Sequence, residues 1–125
     1  MNVVSVKQEL TKKYPGVIIK ENKDQNGVTT EIVGEIDRNL IDSKRAVAVA
    51  VIDKSPEHYH KVTTEEYEVI KGDLTVYLNG KPFKLLSGQK LIVRPGVKHW
   101  ANGAETWIYC YSEPDWSPGD YQLVD

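Results

Sequence analysis

Apolar and polar residues alternate through most of this chain, and glycine, proline and Asn-Gly pairs break the alternation at short intervals. That pattern predicts short strands joined by tight turns. The first stretch is the exception. Val6 and Leu10 stand four apart, Ser5 can cap and Gln8 sits three residues on, which predicts a helix over 5–14 ended by Pro15-Gly16. A short strand at 17–20, a polar turn at 23–27 closing on Asn26-Gly27, and a strand at 28–36 follow. Residues 38–44 form a polar connection with room for a turn of helix. The most apolar run, AVAVAVI at 46–52, is short and valine-rich, which favours a buried strand over a helix. Further strands are expected at 65–71, 74–78, 83–86, 91–94 and 106–111, with Asn79-Gly80 as a tight hairpin. About nine strands with regular turn signals predict an all-β fold, either a closed barrel or a double sheet.

Chemistry concentrates in the run HYHKVTTEEYEVIKG at 58–72. In an extended segment His58 and His60 project from the same face. Imidazole is the commonest protein metal ligand, and Glu65 adds a hard oxygen donor nearby. The chain has three histidines, and the third, His99, follows a glycine-containing turn. Glu65, Tyr67 and Val69 share one face of their strand while Glu66 and Glu68 take the other. The acidic cluster is therefore not a carboxylate pair for acid–base work.

The spacing His58-x-His60-x4-Glu65-x6-Gly72 resembles the first cupin motif, H-x-H-x(3,4)-E-x6-G. GQKLIVRPGVKHWANG at 88–103 is similar to the second motif, G-x5-P-x-G-x2-H-x3-N, with Gly88, Gly96 and His99 in register. The chain departs from the pattern at Ile52, where the first motif opens with glycine. Arg94 stands at the proline position with Pro95 one residue late, and Gly103 at the asparagine position with Asn102 one early. The resemblance implies a small jelly-roll barrel, the double-stranded β-helix, holding one divalent metal on His58, His60, Glu65 and His99. Three nitrogens and one oxygen suit Fe, Mn, Co, Ni, Cu or Zn without selecting among them. Four ligands on a six-coordinate ion leave positions open for chemistry.

The remaining features narrow the function. The 125 residues read as one unit: helix and first strands at 1–45, a motif-bearing barrel at 46–111 and a turn-rich tail at 112–125 that could cover one barrel end or stay loose. Charged residues make up 27% and net charge is −2, so neither nucleic acid nor an anionic membrane is an expected partner. The single Cys110, the absence of an apolar signal core and of any span of membrane length set a cytoplasmic expectation. Cys110 itself reads as a small buried hydrophobe. Tyr67 and Trp100 are the candidate pocket-lining residues, though aromatic rings also simply fill barrels. Arg94, Lys90 and Lys98 could meet an anionic substrate or sit solvated at the rim. The family covers dioxygenases, sugar isomerases and epimerases, decarboxylases and binding proteins. The expected function is thus a metal-dependent enzyme of dioxygenase or isomerase type on a small molecule, or else a non-catalytic binding module. Small cupins commonly pair, which implies a homodimer formed through a sheet face or the strand at 17–20.

Overall fold

The alternating residues from His99 onward form one strand of 15 residues, and most of the sheet is assembled against it. A computed structural model describes residues 1–42 and 44–124. In chain order these hold α1 (Val3–Lys13), β1 (Ile18–Lys23), β2 (Thr29–Glu35), β3 (Ala46–Lys54), β4 (His58–His60), β5 (Thr64–Lys71), β6 (Leu74–Leu78), β7 (Lys81–Leu85), β8 (Lys90–Val93), β9 (His99–Glu113) and β10 (Tyr121–Leu123). All pairings are antiparallel, and β9 pairs with β3, β4, β5 and β6 along its length. The result is a curled sheet of the jelly-roll kind that the resemblance implies.

Two cores explain why residues 46–52 are apolar on both faces. Ala50 and Ile52 point into the barrel with Tyr67, Val69, Leu74, Val76 and Ile108. Val49 and Val51 point out and meet Val6, Leu10, Ile32 and Trp107 beneath α1. Leu10 is fully buried, and burying a leucine of this kind contributes roughly 1.5–3 kcal/mol. The helix itself starts earlier than expected. Asn2, not Ser5, is the cap, with its side chain accepting from the Ser5 backbone N–H at 3.0 Å.

The hairpin of β1 and β2 turns where predicted, with Asp24 Oδ1 accepting from the N–H groups of Asn26 and Val28. β1 continues through the polar residues 21–23 because Glu21 pairs with Lys7 and Asn22 with Glu31. Arg38–Leu40 supplies the single helical turn of the polar connection. The strand expected at 106–111 starts earlier and ends later, running unbroken from His99 to Glu113. Gly103 lets this strand pass close to β3: a β-carbon there would stand 2.8 Å from the Ile52 carbonyl oxygen. The tail through Val124 is held against the barrel. β10 pairs with β4 at Tyr121↔His60 and Leu123↔His58, a tenth strand beyond the nine expected.

Candidate metal centre

His58 and His60 alternate with the outward Tyr59 on β4, Glu65 is an inward residue of β5, and His99 opens β9 opposite His58. The turns between them fix this arrangement. Gly96 N–H donates to the His60 carbonyl at 2.7 Å, and Asn79 bonds the Lys98 backbone through both its own N–H and its Oδ1. The result is that the four side chains are 7%, 2%, 6% and 0% exposed, in chain order, and one ligand atom from each lies within 4.8 Å of every other.

Hydrogen bonds set the imidazole tautomers. His58 Nδ1 lies 2.9 Å from the Pro56 carbonyl and His99 Nδ1 lies 2.8 Å from the Val97 carbonyl. A carbonyl only accepts, so both Nδ1 atoms carry the proton and both Nε2 lone pairs face inward. His99 Nε2 then stands 3.2 Å from Glu65 Oε1, and His60 Nε2 stands 3.1 Å from the same oxygen. Two facing acceptors at this separation require a proton or a cation between them. His60 adds a second sign: both of its nitrogens are buried without a properly directed hydrogen bond. Metal–nitrogen and metal–oxygen bonds of about 2.0–2.2 Å would place opposite donors roughly 4.0–4.4 Å apart. The donor set fits a transition-metal ion, and these four residues could hold one.

The electrostatics agree. Burial, then the neighbouring His99, pushes the His58 imidazole down to about 4, so it is neutral and ready to coordinate. Burial also opposes charge on Glu65, but His60 and His99 outweigh it and hold the carboxyl well below the usual range. At His60 burial disfavours the cation, while Glu65 and then Asp120 more than compensate and raise its pKa.

Several residues around the centre were not found from sequence. Asp120 Oδ2 is 3.6 Å from His60 Nδ1, and its carboxylate also accepts from Val62 and Thr63 N–H. Tyr121 stacks on His58 at 4.5 Å. Cys110, expected to be a plain hydrophobe, donates its thiol to Glu65 Oε2 at 3.2 Å. A carboxylate behind a ligating imidazole fixes its orientation and basicity. Asp120→Asn should therefore weaken metal binding by about 10–100-fold, with the fold retained, as a chelator-competition titration and a thermal melt would show.

The other predicted residues divide. Tyr67 is buried inside the barrel, its hydroxyl 3.5 Å from Glu65 Oε1. Trp100 is on the opposite face of β9 from His99, stacked on Tyr77 at 4.1 Å with the Lys54 ammonium 5.4 Å from its ring centroid. Strand alternation turns its ring outward, so it does not line the interior with the four ligands. Arg94 follows the inward Val93 and lies on the outer surface near Arg45 and Glu66. Lys90 is exposed, and Lys98 borders a surface depression with Tyr59 and Leu123.

Comparison with known proteins agrees with this fold. Residues 47–106 match the Cupin_2 family, a cupin domain. Streptomyces Pac13, a nucleoside dehydratase also solved with uridine, aligns at TM-score 0.71 and 15% identity over 86% of this chain and 84% of its own. A cupin-2 domain protein of Rhodospirillum rubrum aligns at 0.71 and 10% over 90% and 78%. Fe(II) HppE aligns at 0.60 and 15% over 78% and 56%. No curated protein matches the chain significantly in sequence. Residues 47–106 thus match the cupin domain, and the fold as a whole is similar to that of solved cupin structures.

Proposed function

We propose that this cupin is a metal-dependent enzyme acting on a small polar molecule, with the ion held by His58, His60, Glu65 and His99. The observation that carries the reading is the convergence of three imidazoles and one carboxylate on a buried point, with the His58 and His99 rings pinned by carbonyls. Such an ion would supply Lewis acidity or oxygen activation. The chain's own residues do the rest. The two carbonyls orient His58 and His99, Asp120 stands behind His60, Tyr121 stacks on His58 and the Tyr67 hydroxyl lies beside Glu65. Pac13 and HppE show that neighbouring folds include a nucleoside dehydratase and an Fe(II) protein, in keeping with a compact polar substrate. Among reaction classes we favour dioxygenase or sugar isomerase and epimerase chemistry. Oxygen-uptake and aldose–ketose isomerisation assays, run on protein loaded in turn with each of the six metals, test this. Turnover with one metal and none in Glu65→Gln supports it.

The cover formed by Tyr121 over His58 favours a second reading, a non-catalytic small-molecule binder. Ligand binding with no turnover for any metal would select that reading. We further propose a homodimer. β1 is an edge strand with Ile18 59% exposed, and uncovered edges invite pairing. Light scattering at micromolar concentration checks this, and a monomer mass contradicts it.

A further inference from the structure

Glu31 is a buried carboxyl that the metal centre does not use. β2 pairs it with Ile52 of β3 on one side and with Asn22 of β1 on the other. Cross-strand partners share a face. Ile52 belongs to the barrel interior, whereas the next residue, Ile32, packs beneath α1. The Glu31 side chain therefore faces inward, and the residue is only 9% exposed. Asn22 donates to its Oε1 at 2.7 Å, while among the described residues nothing donates to Oε2.

The titratable groups that face it are Glu65 and Tyr67 from β5, Cys110 from β9 and Tyr121 from β10; each interacts with its charge. β3 contributes only the apolar Ile52. None of the four site residues offers a spare base: two imidazoles are tied to carbonyls and Glu65 faces His60 and His99. Tyr67 and Cys110 are pushed further up by burial and then by Glu65, so both keep their protons. Glu31 differs. Burial, tempered by the Asn22 hydrogen bond and reinforced by Glu65, brings its carboxyl to about 7, where giving and taking a proton are closely balanced.

We propose that Glu31 is the proton-transfer residue of the barrel interior, acting on a compact α-hydroxycarbonyl substrate. Such a compound presents two adjacent oxygens to a metal and carries an acidic C–H bond beside its carbonyl. The C–H bond breaks, its proton passes to Glu31 Oε2, and its electron pair moves to the carbonyl oxygen as an enediolate. Transfer of the substrate's hydroxyl proton to that oxygen, and return of the proton from Glu31 to the neighbouring carbon, complete an isomerisation with no oxidant or reductant consumed. This inference rests on the metal-enzyme reading above.

Dihydroxyacetone in D2O is the probe, with zinc-loaded protein and loss of the C–H signal followed by proton NMR. Wild-type protein should exchange well above a zinc-only blank, at a rate that rises with pH and levels off above about 7. Glu31→Gln, nearly the same shape, should lower the rate at least about 100-fold, with zinc content by elemental analysis unchanged and the pH profile flattened. Glu31→Asp, which keeps the carboxyl, should recover part of the rate. Exchange by Glu31→Gln within about threefold of wild type would overturn the assignment, because general-base loss is larger. So would a wild-type protein that holds zinc and gives no exchange, in which case the metal site stands. Failure to hold any of Mn, Fe, Co, Ni, Cu and Zn removes the metal-enzyme reading and the inference with it; a protein that holds another of these ions in place of zinc is put through the same exchange assay with that ion.

Discussion

Glu65→Gln is expected to empty the metal site, while its neighbour Glu66→Gln keeps the metal. The two residues are chemically identical and adjacent, so only the register of β5 separates them. Glu65 pairs across the sheet with Val93 and Ser112, both inward, and its Oε1 lies 3.1 and 3.2 Å from two histidines. Glu66 is on the opposite face. It is not the freely solvated charge that strand alternation alone suggested, because it pairs with Arg45 at 3.1 Å and is partly covered. Glutamine in place of Glu65 keeps the shape but removes the anion that faces His60 and His99. The expected loss in affinity exceeds the roughly 10–100-fold typical of residues behind the ligands. Glu66→Gln should leave metal affinity unchanged and cost no more than about 1 kcal/mol, the range of a partly exposed ion pair. Parallel metal titrations and denaturant melts of the two variants read both numbers. The reverse pattern would mean that β5 is placed one residue out, and with it the inward faces of Tyr67 and Val69.

Metal affinity should also fall steeply in acid, in a sequence set by the environments of His60 and His58. Coordination needs neutral imidazole and ionised carboxylate, so protons compete with the ion. In the metal-free protein the first proton to return enters beside Glu65. His60 is the group whose pKa is raised there, by Glu65 and Asp120 against the opposing effect of burial. Affinity is therefore full above the raised His60 value and drops about tenfold per pH unit below it, as expected for one proton displaced. His58 joins only near 4, where burial and His99 have moved it, and the slope steepens there. A chelator-competition titration at a series of pH values from 8 to 4 gives the curve. An affinity that stays flat down to about pH 4 would mean that the histidines are not the ligands.

The sequence made the frame of the site legible and hid its surroundings, for physical reasons. His58, His60, Glu65 and His99 sit at fixed spacings between glycine turns, and local geometry carries such patterns directly. Leu74–Leu78 and the Asn79-Gly80 turn were readable because Asn79 and Gly80 both adopt positive φ, at 48° and 82°, as a two-residue hairpin requires. Asp120 and Tyr121 were not readable. They lie in a tail of turn-forming residues held by three pairs with β4 and by the bonds of Asp120 to Val62 and Thr63, contacts some 60 residues back along the chain. Glu31 was missed because its strand is covered on both sides, by α1 at Ile32 and by the barrel at Glu31, so no single polar face marks it. The signal for Trp100 was present: one step from His99 along a strand reverses the face.

Elemental analysis of protein purified from metal-supplemented medium tests the central claim most directly. The account predicts close to one equivalent of a divalent first-row transition metal per chain in the wild type and a large loss of it in Glu65→Gln. Wild-type protein that stays metal-free after exposure to each of Mn, Fe, Co, Ni, Cu and Zn would contradict it.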